Sequence, residues 1–166
     1  MTDSSPTDVT CSCEQANRLA VLMSQPAIVI DIKPKPKARP RVTRRGITYM
    51  PQDYVQYCRR LSEIFMTAGG ETLLGTNDQP LALAVEFRMQ MPKQKSIAWK
   101  QAHVGRPHAL KRGDTDNLLG AVMDAILPKE LGGDHRVTHC YAWKVWAPTA
   151  GVTLWLLPLE QAPQIS

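Results

Sequence analysis

In residues 80–92, PLALAVEFRMQMP, the large apolar side chains Leu81, Leu83, Val85, Phe87, Met89 and Met91 fall at every second position. Ala82, Ala84, Glu86, Arg88 and Gln90 stand between them. A period of two is that of a strand with one buried face, whereas a helix would scatter these residues around its axis. The chain must therefore contain a sheet, and something must cover it. Residues 51–68 supply one cover, because Tyr54, Cys58, Leu61, Phe65 and Ala68 step by four and three along a single helical face. Pro51 suits the first helical position, and Gly69 and Gly70 supply the stop. A second helix is expected from Thr115 to Leu127, with Leu119, Val122 and Ile126 as its inward stripe and Pro128 closing it.

Three further strands are expected. AIVIDIK (27–33) alternates Ile28, Ile30 and Ile32 against Val29 and Asp31. Residues 136–146 and 151–157 are rich in Val, Trp, Tyr and Thr, with 147–150 as the turn between them. The order strand, helix, strand, helix, strand, strand fits an α+β domain with one mixed sheet backed by two helices. This domain is expected over residues 26–160. A flexible extension, 1–25, precedes it with a helical candidate at 14–25, and a disordered tail, 161–166, follows.

No apolar stretch is long enough to span a bilayer, and MTDSSPTDVTCSCEQ lacks the basic-then-apolar order of a secretory signal. A cytoplasmic location is the expectation. There the four cysteines, Cys11, Cys13, Cys58 and Cys140, are expected to be reduced. Cys11 and Cys13 could join His135, His139 or Cys140 around zinc, but the paired CxxC spacing of such sites is missing.

The net charge of +5 is unevenly spread. KPKPKARPRVTRR (33–45) holds seven cations and no acid. KQKSIAWKQAHVGRPHALKR (93–112) holds six more and again no acid. What remains has 7 cations against 15 acids, so basic loops are set against an acidic body. Segregation of this kind suits a polyanion, with Lys35, Lys37, Arg39, Arg41, Arg44, Arg45, Lys93, Lys95, Lys100, Lys111 and Arg112 placed to grip phosphates. Pro34, Pro36 and Pro40 stiffen the first stretch into an extended arm. Of the four tryptophans only Trp99 lies in an expected loop, where it could stack on a splayed base; Trp143, Trp146 and Trp155 are expected in the core or an interface.

The second basic stretch ends at Asp114. With Asp116 it lies at the start of the expected second helix, where backbone N–H groups stabilise negative charge. Asp114 could be a plain N-cap and Asp116 an ordinary first-turn acid. A third carboxylate, Asp134 in LGGDHRV, follows two glycines and precedes a strand. A strand beginning beside the helix N-terminus could bring it to the other two. Three aspartates would make a hard oxygen site for Mg²⁺ or Mn²⁺.

GDTDNLLGAVMDAIL followed by GGDHRV resembles the RusA family of Holliday junction resolvases, whose signature is an Asp-x-Asp-Asn-Leu helix and a later Asp before a strand. KARPRV (37–42) and ITYMPQDYVQYCRRL resemble the family's first loop and first helix, and the long basic insert is similar to that of phage-borne members. The likeness covers about residues 27–158. It implies a homodimer that binds four-way DNA junctions and makes paired, symmetric nicks with Mg²⁺ or Mn²⁺, in DNA recombination and repair. It implies Asp114, Asp116 and Asp134 as metal-binding, catalytic carboxylates, Asn117 as a residue holding the site or touching phosphate, and Lys144 as the family's strand lysine. Asp124 matches a recurrent helix aspartate that reads as structural.

One position departs from the pattern. Where the family carries a lysine four residues after the second Asp, this chain has Gly120. A helix-interior glycine costs about 1 kcal/mol against alanine, so it needs a reason. Lys144, Lys111 or Arg112 could replace the charge. Otherwise the chain cuts slowly, or binds junctions without cutting them, a rival to the nuclease reading. A nuclease for flaps or forks, or a plain interaction domain with incidental basic loops, are the other rivals.

Overall fold

The strand expected over residues 80–92 is realised over Leu81–Gln90, at the centre of a four-stranded sheet. The computed structural model describes the backbone of residues 8–109 and 113–160, with side chains from residue 15 onward. In chain order the elements are α1 (Asp8–Met23), β1 (Ile28–Ile30), β2 (Arg41–Val42), β3 (Thr48–Tyr49), α2 (Gln52–Thr67), α3 (Gly70–Leu74), β4 (Leu81–Gln90), α4 (Ile97–His103), α5 (Thr115–Ile126), β5 (Val137–Ala147) and β6 (Gly151–Pro158). Single 3₁₀ turns at Lys129–Leu131 and Asp134–Arg136 lie between α5 and β5.

The sheet is mixed, as expected, with strand order β1-β6-β4-β5. β6 runs antiparallel to β1 and β4, while β4 and β5 are parallel, from Leu81 opposite Val137 to Gln90 opposite Ala147. A parallel pair needs a crossover, and α4 and α5 lie within it. α5 therefore descends from the C-terminal end of β4 to the start of β5, and that sets the geometry of the site.

Leu81, Leu83, Val85 and Phe87 of β4 are buried against Tyr54, Leu61 and Phe65 of α2 and Leu118, Val122 and Ile126 of α5. These two helices are the expected cover, with corrections to their stripes. Tyr57 is buried while Cys58 is half-buried and Ala68 exposed. On α5 the buried set is Leu118, Ala121, Val122, Ala125 and Ile126, with Leu119 only half-buried. α5 meets α2 as well as the sheet, so its inner face widens to include small residues that let α2 approach.

The other face of β4 is buried too. Ala82 and Ala84 pack against Leu22 of α1, with Trp143 and Trp155 stacked at 5.8 Å beside them. Small residues there leave room for a helix. The helical candidate at 14–25 is thus part of a longer helix, and its C-terminal turn, at Leu22, is seated on the sheet rather than free.

Both basic stretches contain short elements that the sequence pattern did not show. The first runs extended past its prolines and then turns back as the β2–β3 hairpin, with Arg41 opposite Tyr49 and Gly46 at φ +80° in the turn. The second forms α4, capped by Ser96, whose hydroxyl accepts from Trp99 N–H at 3.2 Å. Among the described residues no helix is long and apolar enough to cross a membrane.

Candidate active site and nucleic-acid interface

Asp114 occupies the N-cap of α5, with φ −59° and ψ 140°, yet its side chain makes no capping hydrogen bond. Asp116 lies in the first turn. Both are exposed, and neither carboxylate has a hydrogen-bond or ion-pair partner among the described residues. A plain cap would spend its oxygens on backbone N–H groups. These oxygens are unspent.

Lys144 stands beside them. It pairs with Phe87 in the sheet, and its Nζ donates to the Gly113 carbonyl at 3.0 Å. A half-buried ammonium is thereby held one residue from Asp114. The strand behind it is braced on its outer edge: His108 N–H donates to the Lys144 carbonyl at 2.9 Å, and Trp146 N–H to the Arg106 carbonyl at 2.9 Å. His108 is 7% exposed, packs its ring on Trp146 at 4.3 Å and leaves Nδ1 without a partner. Burial pushes its imidazole below the ordinary value.

Asn117 is exposed, and its carbonyl accepts the Lys37 N–H at 2.8 Å, which docks the basic arm on α5. Lys37 then reaches Asp124, with Nζ 2.9 Å from Oδ1, while the Tyr54 hydroxyl donates to Oδ2 at 2.7 Å. Burial first, and then this bond to Asp124, push the Tyr54 phenol far above its ordinary range. Asp124 is thus the anchor of a helix-to-arm contact.

Asp134 is exposed and follows Gly132 (φ +90°) and Gly133 (φ +80°). A Cβ on Gly132 would stand 2.5 Å from the Asn77 carbonyl oxygen and 2.6 Å from Arg136 Cδ, so glycine is required twice over. Arg136, 3% exposed, fastens this turn by donating to the carbonyls of Leu74, Thr76, Gln79 and Leu131 at 2.5–2.9 Å. Those partners flank the start of β4. Asp134 therefore sits at the C-terminal end of α5, and Asp114 and Asp116 at its N-terminal end, one helix length of about 18 Å away. The expected strand that begins beside the helix N-terminus begins instead beside its other end, because the parallel crossover requires it. Among the described residues no three His, Cys, Asp or Glu side chains are grouped to hold a metal ion. Asp114 and Asp116 fit a hard divalent cation by donor chemistry and by their unspent oxygens. Within one chain Asp134 does not stand with them.

The zinc alternative gains no group either: Cys140 is a free thiol, His139 Nε2 lies 2.9 Å from Arg18 Nη1, and the side chains of Cys11 and Cys13 lie outside the described residues.

The cations divide by what they touch. Lys35 pairs with Asp53 and holds that carboxyl below the usual range. Arg39, Arg41, Arg44 and Arg45 are exposed, without an ion pair among the described residues. Lys93 and Lys95 are exposed; Lys95 Nζ lies 5.4 Å from the Trp99 ring, and Lys100 Nζ donates to the Lys93 carbonyl at 3.2 Å. Lys111 and Arg112 lie outside the described residues. Trp99, the candidate base-stacker, has one face covered by His103 at 3.8 Å and meets Trp146 edge-on at 5.6 Å. It braces α4 on β5. His108, Arg136 and the Lys37–Asp124 contact were missed by pattern reasoning. Only the helix-interior Gly120 signalled one of them, and the structure gives its reason: a Cβ there would stand 3.2 Å from Lys37 Cδ.

An α+β chain with an unspent carboxylate pair at a helix N-terminus, a lysine fixed beside it and an arm of unpaired cations is equipped to act on a nucleic-acid backbone. The model of the family described as endodeoxyribonuclease RusA matches residues 31–156, and the chain belongs to that family. By family it is an endodeoxyribonuclease, and Holliday junction resolution is the activity the family implies. The match begins just after β1, so α1 lies outside it. No curated protein matches the chain.

Proposed function

We propose that this chain is a cytoplasmic, homodimeric resolvase that cuts four-way DNA junctions by paired, symmetric phosphodiester hydrolysis with Mg²⁺ or Mn²⁺, in recombination and repair. The observation that carries this reading, beyond family membership, is the unspent carboxylate pair Asp114–Asp116 with Lys144 tied at Gly113. A divalent cation held by these carboxylates would polarise the scissile phosphate and activate water at neutral pH. Lys144 is placed to meet negative charge that develops on that phosphate, in a position fixed before substrate arrives. Asn117 holds the arm in register through its carbonyl. Arg39, Arg41, Arg44, Arg45, Lys93 and Lys95 bind backbone phosphates, which positions a junction by shape and reads few bases.

The dimer gives Asp134 a role. β5 ends the sheet, and from Val137 to Trp143 its outer edge pairs with no strand among the described residues. The backbone groups of Lys144 and Trp146 point outward, so those of Cys140 and Ala142 do as well. An antiparallel pairing of this edge with that of a second copy, centred on Cys140, removes an exposed edge and fills the free stretch from both sides. It carries Asp134 of the second copy to the level of Lys144 and Trp146, beside Asp114 and Asp116. Each site would then draw two aspartates from one copy and the third from the other, and a two-fold axis supplies two sites for two nicks.

The test is nicking of a synthetic four-way junction with Mg²⁺, Mn²⁺ or a chelator, against flap and fork substrates at equal concentration. Metal-dependent, symmetric nicks on the junction support the reading. Tight binding without nicks leaves a junction-binding protein in its place, and faster cutting of flaps or forks moves the substrate.

A further inference from the structure

Lys37 belongs to the basic arm by sequence, yet its position differs from that of the arm's arginines. Its N–H is bonded to the Asn117 carbonyl, one residue past Asp116. Its stem crosses α5 at Gly120, where a Cβ would stand 3.2 Å from Cδ and 3.9 Å from the lysine's own Cβ. Its Nζ ends on Asp124 at 2.9 Å, with the side chain still 47% exposed. Asp116, Gly120 and Asp124 are spaced four apart and share one helical face. The stem is thus laid along the helical face that carries Asp116, one turn beyond it, and the ammonium rests a further turn on, at Asp124. Tyr54 holds the other oxygen of Asp124, so the anchor is oriented from behind.

We propose that Lys37 is a catalytic residue of this endonuclease: it contacts the phosphate that is cut, and Gly120 is its seat. The inference rests on the proposed nuclease reading. A cation that α5 itself does not carry is brought to it by the arm, through a main-chain bond that fixes register and a side chain that the glycine lets through. The contact with Asp124 is open enough for Nζ to turn toward a phosphate oxygen when the substrate is bound. Arm docking and active-site completion are then one event, because the segment that grips the DNA also delivers the lysine.

The decisive variants are Lys37→Met and the double variant Lys37→Met with Gly120→Lys. Methionine keeps an apolar stem over Gly120 and removes only the charge. At saturating junction, Lys37→Met is expected to nick about 100-fold more slowly, with junction affinity changed less than about 3-fold and melting temperature unchanged. The double variant, with a lysine rooted on the helix instead of the arm, is expected to recover to within about 5-fold of wild type. A purely structural contact predicts the reverse: full-speed cutting by Lys37→Met, or no recovery in the double variant, and either outcome overturns the proposal. Lysine footprinting by reductive methylation, with and without an intact junction in Ca²⁺, gives a readout that needs no cutting. Lys37 is expected to become at least about 5-fold protected by the junction; unaltered reactivity overturns the proposal. If wild type fails to nick while Lys37 is protected, the fault lies in the nuclease reading and the phosphate contact stands.

Discussion

The Lys144 ammonium donates to the Gly113 carbonyl at 3.0 Å, a bond that fastens β5 to the residue just before the N-cap of α5. It spans 31 residues of chain and fixes where a cation stands relative to Asp114. Lys144→Met is expected to slow junction nicking by about 100-fold, the scale of losing one preorganised donor to developing charge. Junction affinity should change less than about 5-fold, since most affinity comes from the exposed arm. Single-turnover nicking and a binding titration on the same junction separate the two. Cutting at the wild-type rate would remove Lys144 from the site.

The two ends of α5 set the second prediction. Asp116→Asn and Asp134→Asn are each expected to abolish nicking when every copy carries the substitution, with junction affinity intact or higher because a repelling charge is gone. Mixed dimers of the two variants discriminate the geometry. If the second copy supplies Asp134, one site in each mixed dimer carries both substitutions and the other carries neither, so single nicks return. If Asp134 acts within its own chain, each site carries one substitution and the mixture stays silent. A short bifunctional maleimide should also link two copies through Cys140, which is exposed and lies at the centre of the free edge. Failure to crosslink a dimer detected in solution would move the interface away from β5.

Much of this architecture could be read from sequence because its signals are local. The alternation of β4, the helical stripe from Tyr54 to Phe65 and the turn before β6 each depend on residues within a few positions of one another. The aspartates were legible as residue types, and Lys144 through resemblance. What escaped depends on contacts between distant segments. Whether Asp134 lies near Asp114 is decided by crossover direction, which no motif encodes. Cys58 faces α5, its Sγ 4.0 Å from the Ala121 carbonyl oxygen, yet stays half-buried, while Tyr57, outside the stripe, is buried. The seat at Gly120 becomes intelligible only once an arm 83 residues upstream is laid across it. Ala82 and Ala84 look like the polar-side filler of a strand until α1 covers them.

Arg39 and Arg41 are exposed at the base of the β2–β3 hairpin, without ion pairs among the described residues. Replacing both by Ala is expected to weaken junction binding and to lower the slope of log K against log salt by up to about 2, close to 0.9 for each phosphate that is no longer neutralised. Cutting at saturating junction should remain near wild type. Fluorescence anisotropy from low to moderate salt measures the slope; an unaltered slope would clear these residues of phosphate binding.

His108 adds a pH dependence. Burial lowers its folded-state pKa below the 6.5 of the free side chain. The unfolded chain therefore takes up a proton near that pH while the folded chain resists it. Stability from this group is full above about 6.5 and falls as the pH drops toward the folded-state value. Wild type should lose melting temperature between pH 7 and pH 5.5 more steeply than His108→Gln, which cannot titrate. Parallel melting curves for the pair would exclude His108 as the source.

Arg136 is the sharpest test of how the fold holds Asp134. It is 3% exposed, and its guanidinium satisfies carbonyls of Leu74, Thr76 and Gln79 in one stretch and of Leu131 in another. Buried acceptors left without donors cost roughly 1–3 kcal/mol each, partly relieved where water can enter. Arg136→Met keeps the stem and removes all five N–H donors. A loss of about 3 kcal/mol or more is expected, or roughly 10 °C in melting temperature for a domain of this size. Arg136→Lys should recover less than half of this, because an ammonium cannot reproduce the planar fork that reaches four carbonyls at once. The Gly132–Gly133 turn rests against the same guanidinium, so hydrogen exchange should quicken there before it does in β4. If Arg136→Met melts within about 2 °C of wild type, the turn is held by something other than this fork, and the placing of Asp134 must have another cause.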